Sequence, residues 1–378
     1  MDKKNKNPNV PNLRFSSFAD PFRIYTLKEV LQRISFPVTV DENKLYYQIG
    51  IRSHSKGIFY KEAESGKQIG NKRIFWIEPN CLILNIVFAW EQAVAKTSEK
   101  EVGMVASHRF PMYKVLNNSL DYIVDFFKTE KGKQLLQMAS PGGAGRNKTL
   151  NQDFFLNSKI YLPSLTEQLK TSELIELIED RIETQIKIID TLSSQKKQIR
   201  NLIFKDIHKN ANCCIQDYVI YEQPQKYIVH STDYLSYGKD YTPVLTANQS
   251  FILGYTLEKD GIYEKGDCII FDDFTNENKY VDFPFKVKSS ALKILQTKEG
   301  LMLKFFYEYL QFLNFESTDH KRHYLSEVAV TDISVPNLKE QTFVCKIFTS
   351  FDNKLKNEEA LLEKYRLQKQ FFLNNLFI

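Results

Sequence analysis

Few residues of this chain have the types and spacing that catalysis requires. Residues 142–149 resemble a phosphate-binding loop, but Asn147 stands where that motif needs glycine before its Lys-Thr pair. His320 and His323 could form a metal-ligand pair, but no cysteine or carboxylate set completes it. The metalloprotease, serine-hydrolase, dinucleotide-binding and amino-methyltransferase signatures do not occur in the sequence. We therefore expect no catalytic residue, no metal and no cofactor bound by this chain.

Other polar side chains are of the kinds that contact nucleic acid. Lys and Arg bind phosphates, while Arg, His, Asn and Ser can hydrogen-bond to base edges. Taken singly, each segment that carries them is also typical of a solvated loop. The candidate DNA-binding residues are Arg52, His54, Lys56, Arg73, Ser107, His108, Arg109, Arg146, Asn147, Lys148, Asn276, Asn278, Lys279, Lys286, Lys288 and Ser289.

Charge is distributed unevenly along the 378 residues, of which 43% are hydrophobic and 26% are charged. This composition is typical of a globular protein with room for two or three domains. Residues 1–157 carry 23 basic against 15 acidic side chains, whereas residues 209–330 carry 13 against 17. The first block can therefore meet a polyanion, while the second needs a local patch or a partner to do so.

The five cysteines form no Cys-x-x-Cys pair, which argues against a zinc site or a disulfide framework. The longest apolar run, residues 81–90, is too short to span a membrane, and the N-terminal residues do not resemble a signal peptide. We expect a cytoplasmic protein.

An internal duplication organises the elements that must position these residues. Residues 158–204 align without a gap on residues 331–377, at a constant offset of 173. Both copies begin with a helix-start signal, in which Ser164 or Asn337 is the N-cap and a Glu follows three residues later. Pro163 and Pro336 lie just outside the helices, where a proline interrupts no hydrogen bond.

Each copy continues with apolar residues at alternating intervals of three and four, which is the pattern of a heptad seam. This pattern predicts two helices of about 40 residues that pair with each other as an antiparallel coiled coil. Two unrelated amphipathic helices are the alternative. The central seam residues are Ile182, Gln185, Ile189, Leu192, Lys196, Ile199, Leu355, Glu358, Leu362, Tyr365, Lys369 and Phe372.

The polar breaks in the seam suggest a register. If paired residue numbers sum to 554, Lys196 meets Glu358 and Gln185 meets Lys369. Registers slipped by one heptad are the competing possibilities.

The remaining sequence forms two blocks of mixed helix and strand. Residues 81–90 and 267–271 favour strands, and residues 120–138 and 291–315 favour helices. The predicted order is a globular block at 1–157, a helix at 158–208, a second block at 209–330 and a helix at 331–378. With an antiparallel helix pair, this order predicts two blocks at opposite ends, related by a pseudo-two-fold axis.

The chain resembles the specificity (S) subunit of type I restriction–modification systems. The helix-start motifs at residues 160–168 and 333–341 carry this resemblance, together with the helix ends at 195–204 and 368–377. Residues 11–15, 252–256 and 270–275 are also similar to that family.

The resemblance implies an α+β fold in which two target-recognition domains are separated by two conserved helices. Each domain would read one half of a bipartite DNA target, and helix length would set the spacer. It also implies two modification subunits that bind S-adenosylmethionine and methylate adenine, and restriction subunits that use ATP and Mg²⁺. The chain itself would be non-catalytic.

The sequence is also compatible with two other functions. One is a coiled-coil scaffold that binds proteins without reading DNA sequence, and the other is a nuclease or methyltransferase with a diverged site.

Overall fold

The computed structural model describes residues 10–142, 148–238, 240–247, 250–315 and 323–378. The helices are α1 (Leu27–Val30), α2 (Gly66–Ile69), α3 (Leu120–Lys128), α4 (Glu130–Met138), α5 (Gln152–Asn157), α6 (Leu165–His208), α7 (Ile215–Tyr218), α8 (Leu303–Leu313) and α9 (Leu338–Leu376). Short 3₁₀ turns occupy Ala89–Glu91, Glu99–Glu101 and Pro224–Tyr227, and a π-helical turn occupies Tyr324–Val328.

The strands of the first block are β1 (Arg23–Thr26), β2 (Leu31–Ile34), β3 (Leu45–Tyr46), β4 (Ile49–Ile51), β5 (Ile58–Tyr60), β6 (Glu64–Ser65), β7 (Ile74–Trp76), β8 (Leu82–Leu84), β9 (Val94–Lys96), β10 (Val105–Ser107), β11 (Met112–Val115) and β12 (Lys159–Leu162). Those of the second block are β13 (Cys213–Cys214), β14 (Val219–Glu222), β15 (Thr242–Leu245), β16 (Ile252–Thr256), β17 (Cys268–Asp272), β18 (Asn278–Val281), β19 (Lys286–Val287), β20 (Leu292–Thr297) and β21 (Asp332–Ile333). The α+β class predicted from the sequence is confirmed.

The chain folds into two compact units, and each unit holds one globular block and a stretch of each long helix. The first unit comprises Met1–Gln185 and Leu361–Ile378, and the second comprises Ile186–Ala360. The division of the chain into four domains at residues 157, 208 and 330 stays a prediction.

The duplication extends from the long helices into the blocks. The first block contains an antiparallel sheet of order β2-β11-β8-β9, and the second contains the same arrangement as β14-β20-β17-β18. The first strand of each sheet, β2 or β14, directly follows a one-turn helix. Each of these helices begins with a capping box, formed by Thr26 with Glu29 and by Cys214 with Asp217. The two blocks are therefore built on a common pattern, although the sequence repeat is visible only in the helices.

In each unit a phenylalanine near the end of one long helix completes the core of the block. Phe377 packs against Tyr122 of α3 at a ring-centroid distance of 4.7 Å in the first unit. Phe204 packs against Phe305 of α8 at 5.2 Å in the second unit. Phe204 and Phe377 are equivalent in the sequence repeat. Each of them packs into the core of the block that lies in its own unit.

A buried glutamine in each helix-start motif joins the long helix to the block. Gln168 Oε1 accepts a hydrogen bond from the backbone N–H of Ser119, which is the N-cap of α3. Gln341 Oε1 accepts the equivalent bond from the N–H of Met302, the N-cap of α8. Since the first N–H groups of a helix have no partner within it, each glutamine satisfies a donor that would otherwise be buried unpaired.

The predicted N-caps are present at both long helices. Ser164 Oγ accepts from the N–H of Glu167 at 3.4 Å, and Asn337 Oδ1 accepts from the N–H of Glu340 at 3.1 Å. The Glu167 carboxylate is held by Arg14, whose Nε and Nη2 both donate to it at 2.7 Å. Arg14 belongs to the residue 11–15 motif, so that motif binds the N-terminal turn of α6.

The two long helices run antiparallel within each unit. All twelve central seam residues are buried or half-buried. The register differs from the expected sum of 554. Lys196 contacts Asp352 and Lys369 contacts Glu179, and both pairs sum to 548. The observed register is therefore shifted by six residues, nearly one heptad. Each lysine contacts a carboxylate six residues before the polar seam residue that the predicted register places opposite it.

One predicted helix is partly a strand. Residues 291–315 contain α8, but Leu292–Thr297 form β20, which pairs with both β14 and β17. A buried central strand has apolar residues on both faces, so its periodicity resembles that of a buried helix. Within the described parts of the chain, no helix is long and apolar enough to cross a membrane.

Candidate nucleic-acid interface

Pairing of β7 with β10 brings together basic residues that are far apart in the sequence. Ser107 lies opposite Ile74, and the backbone N–H of His108 donates to the carbonyl of Arg73 at 3.3 Å. The side chains of Arg73, His108 and Arg109 are exposed, and Ser107 Oγ accepts from the N–H of Arg109. Four of the predicted residues therefore lie at one end of this antiparallel strand pair.

A cleft of about 250 Å³ opens beside this group in the first unit. Its polar lining is contributed by Arg33, Ser35, Arg73, His108 and Gln152, and Phe75 and Phe110 are among its apolar lining residues. Among the described residues that line it there is no carboxylate, and no described acidic side chain pairs with Arg33, Arg73 or His108. Two arginines that have no described acidic partner make the cleft attractive to an anion, and the His108 ring adds a hydrogen-bonding group.

Gln152 contributes a neutral polar group to this cleft. Its Oε1 accepts a hydrogen bond of 3.2 Å from the hydroxyl of Tyr113, which lies opposite Arg33 in the pairing of β11 with β2. Tyr113 is fully buried, and burial raises the pKa of its hydroxyl to about 12. The hydroxyl therefore keeps its proton near neutral pH and acts as a donor to the carboxamide.

A second group of predicted residues is pinned to the turn Ala89–Glu91. The N–H of His54 donates to the carbonyl of Glu91, and His54 and Gly57 have positive φ angles at the tip of the β4–β5 hairpin. Arg52 lies over the ring of Phe59 at 5.1 Å. Lys148 Nζ lies 5.0 Å from the ring centroid of Trp90. These cation–π contacts orient the cations without neutralising them.

The two basic groups share a backbone connection. The N–H of Ile86 donates to the carbonyl of Arg109, and the N–H of Leu150 donates to the carbonyl of Ile86. Segments 107–109 and 148–150 therefore flank residue 86. Of the candidates in the first block, Lys56 lies apart and lines a different cavity with Lys128 and Glu179. Arg146, Asn147 and His320 lie outside the described residues.

Two candidates in the second block are corrected by the structure. Lys286 is fully buried, where its Nζ lies 2.6 Å from Glu258 Oε2 and donates to the carbonyl of Asp260. Asn276 is also buried, in the turn between β17 and β18, with a φ angle of +59°. Neither side chain is accessible to a DNA duplex. Lys286 has a local counter-charge, and Asn276 serves the left-handed turn position that asparagine tolerates.

The other candidates in the second block are more accessible but are dispersed. Asn278 is half-buried and accepts from Gln311 Nε2 at 2.7 Å, so its carboxamide already has a protein partner. Lys279 is half-buried on β18, and Lys288 is exposed after β19. Ser289 Oγ accepts from the N–H of Ala291.

The structure also groups His230, Glu258 and Asp260, which the sequence did not single out. Their potential ligand atoms lie within 4.8 Å of one another, and His230 Nε2 lies 3.1 Å from Asp260 Oδ2. However, Glu258 already binds the Lys286 ammonium and the N–H groups of His230 and Ser231. A positive charge at 2.6 Å from the central carboxylate disfavours a cation at the same place.

Arg33, Ser35 and Gln152 are the polar residues of the cleft that sequence analysis missed. Arg33 is exposed on β2, but the strand sequence Leu-Gln-Arg-Ile does not alternate, so its pattern gives no signal that would have singled out Arg33. Gln152 begins the short helix α5, and nothing in the sequence connects it with Tyr113.

The comparisons with known proteins point to one family. No protein-family model matches the sequence. The Escherichia coli type I restriction enzyme EcoR124I/EcoR124II specificity subunit is 39% identical to the chain over 170 residues, which cover 41% of each protein. The match therefore spans less than half the length of that relative.

Solved structures agree over nearly the whole chain. The type I restriction–modification S subunit from M. genitalium aligns with a TM-score of 0.60 and 13% identity, over 98% of this chain and 99% of that one. A chain from a structure of complex assembly and conformational transition of the type I R-M system aligns with a TM-score of 0.58 and 12% identity, over 93% and 96%.

The chain has the fold of a type I S subunit. The resemblance that the helix-start motifs indicated is thus confirmed. The buried glutamines of those motifs, Gln168 and Gln341, give the resemblance a structural meaning, since they join each long helix to its block.

Proposed function

We propose that this chain is the sequence-specific DNA-recognition subunit of a type I restriction–modification complex. Each block acts as a target-recognition domain that reads one half of a bipartite DNA sequence. The long helices set the spacer between the halves and bind the methyltransferase subunits. The chain acts in the cytoplasm and has no catalytic activity of its own.

The observation that carries this proposal is the cleft lined by Arg33 and Arg73, with which no described acidic side chain pairs. Duplex DNA presents a dense row of phosphates, and cations that lack protein counter-ions gain most from contact with them. The matched sheets of the two blocks further support a pair of readers built on one pattern. The similarity to the E. coli specificity subunit supports the same assignment.

A recognition subunit of this kind depends on partner subunits for the chemistry of the complex. We infer that two modification subunits supply S-adenosylmethionine and methylate adenine. Restriction subunits would supply ATP- and Mg²⁺-dependent translocation and cleavage. Since a base must leave the stack to be methylated, this chain would hold the duplex while its partner extrudes the adenine.

A methylation map tests the proposal directly. The chain would be produced together with its modification subunit in a host without adenine methylation, and modified adenines would be located across the genome. We expect a two-part motif with a fixed gap. A complex that assembles but leaves no new methylation would overturn the assignment.

Two variants test how the parts of the chain divide the task. Replacing residues 1–157 with another recognition domain should change only one half of the motif, and a change in both halves would contradict modular reading.

Inserting about one heptad into α6 should widen the gap and leave both halves intact. An unchanged gap would contradict the role of helix length.

A further inference from the structure

We propose that Gln152 reads an adenine in the half-site bound by the first block, and that Tyr113 fixes the orientation of its carboxamide. This inference rests on the proposed DNA-recognition function and assigns a specificity-determining pair within it.

The first step concerns the orientation of the amide. A carboxamide can present its oxygen or its nitrogen in either of two flipped positions, and a neighbour must choose between them. The buried Tyr113 hydroxyl donates to Gln152 Oε1 at 3.2 Å. This bond places the carboxamide oxygen on the tyrosine side, and burial, which raises the pKa of Tyr113 to about 12, keeps the hydroxyl protonated and able to donate.

The second step concerns what the amide still offers. A carbonyl oxygen has two lone pairs, and Tyr113 occupies one of them. Gln152 therefore keeps one acceptor position and two N–H donors, and no described protein group bonds to its nitrogen. An adjacent donor and acceptor of this kind match adenine, whose N7 accepts and whose N6 amino group donates in the major groove.

The third step concerns the surroundings. Gln152 is half-buried in the cleft that Arg33, Arg73 and His108 also line. Cations at the cleft can hold the phosphate backbone while the neutral amide meets a base edge, which is the usual division between positioning and reading. A half-buried amide has also lost part of its hydration, so a base that fails to pair with it leaves a polar group unsatisfied.

The experiment uses the complete complex of this chain with its modification subunits. The methylation motif would first be determined with the unaltered chain, and then with Gln152→Ala, Gln152→Glu and Tyr113→Phe. Gln134→Glu, which alters an exposed glutamine of α4, controls for the added charge.

We expect Gln152→Ala to relax one adenine position in one half-site, with roughly tenfold or greater loss of discrimination at that position. Gln152→Glu should disfavour adenine there, because a carboxylate has no donor for N7, and should favour the amino group of cytosine. Tyr113→Phe should lower discrimination at the same position. Gln134→Glu should leave the motif unchanged.

The outcomes separate this inference from the proposed function. If the unaltered complex methylates a bipartite motif and Gln152→Ala leaves every position as selective as before, the role of Gln152 is refuted and the proposed function stands. If the unaltered complex assembles and methylates nothing, the proposed function fails and this inference fails with it. A variant that abolishes methylation would be assayed for binding to DNA with each base at the adenine position, and equal loss for all four bases would refute base reading.

Discussion

Lys196 Nζ lies 2.5 Å from Asp352 Oδ1, and the residues 173 positions away from each of them repeat the contact, as Lys369 Nζ lies 2.6 Å from Glu179 Oε1. Each carboxylate also binds a lysine of its block, Lys304 in the second unit and Lys128 in the first. One duplicated ion pair therefore connects the two helices to each other and to the block in both units.

Removing Lys196 should destabilise the second unit. Lys196 contacts Asp352 and also the fully buried Glu308, which Arg200 and Lys304 bind as well. Lys196→Met leaves these carboxylates with fewer cations, and we expect a loss of about 1–3 kcal/mol in the free energy of unfolding. Urea unfolding measures it. Lys197→Met, which alters an exposed neighbour, should change stability by less than about 0.5 kcal/mol, and equal effects of the two variants would contradict the ion-pair account.

The buried glutamines should each contribute strongly to stability. Gln168 Nε2 donates to the carbonyl of Pro163 and to Asn118, and Gln341 Nε2 donates to the carbonyls of Pro336 and Gly300. Replacing either with alanine also leaves a helix N-cap N–H unpaired, so we expect a loss of about 2–4 kcal/mol. Gln198→Ala, at an exposed position of α6, is the matched control. Thermal and urea unfolding that do not distinguish the variants from this control would refute the assignment.

Asp125 should make the first unit more stable when its side chain carries no charge. Its carboxyl is buried, and burial raises the pKa to about 6 even though Lys128 lies 2.8 Å away and lowers it. Because the pKa is higher in the folded chain than in the unfolded chain, this group contributes stability below about pH 4 and loses it as pH rises through about 6.

Asp125→Asn should therefore raise the free energy of unfolding near pH 8 by about 1–3 kcal/mol, with a smaller gain near pH 5. Unfolding curves at several pH values test this expectation. Glu308→Gln is the contrasting variant, because Glu308 occupies a similar buried place on α8 but is bound by three cations. It should lose stability near pH 8, and a gain there would contradict the role given to those cations.

The cations of the cleft should be visible in the salt dependence of DNA binding. Arg73→Ala in the assembled complex should weaken binding to all sequences similarly and reduce the slope of log affinity against log salt by about 1. Lys265→Ala removes an exposed lysine that Glu222 already neutralises, so it should leave the slope unchanged. DNA-binding titrations at several salt concentrations measure this slope. An unchanged slope for Arg73→Ala would show that Arg73 does not contact a phosphate.

The sequence by itself determined the long helices and their pairing. Apolar spacing and the caps at Ser164 and Asn337 are local properties that depend on helix geometry alone, so they predicted α6 and α9. The repeat further predicted that Gln168 and Gln341, which are equivalent positions, have the same structural role.

Tertiary structure decided the register and the composition of the site. Several heptad registers bury the same apolar seam, and the blocks select among them by supplying Lys128, Lys304 and Glu308 to the helix pair. Similarly, Lys286 and Arg73 are both basic residues next to apolar segments in the sequence. Lys286 lies buried beside Glu258, whereas Arg73 faces a cleft whose described lining holds no carboxylate. Strand pairing between distant segments makes this difference, and no local pattern records which segments will pair.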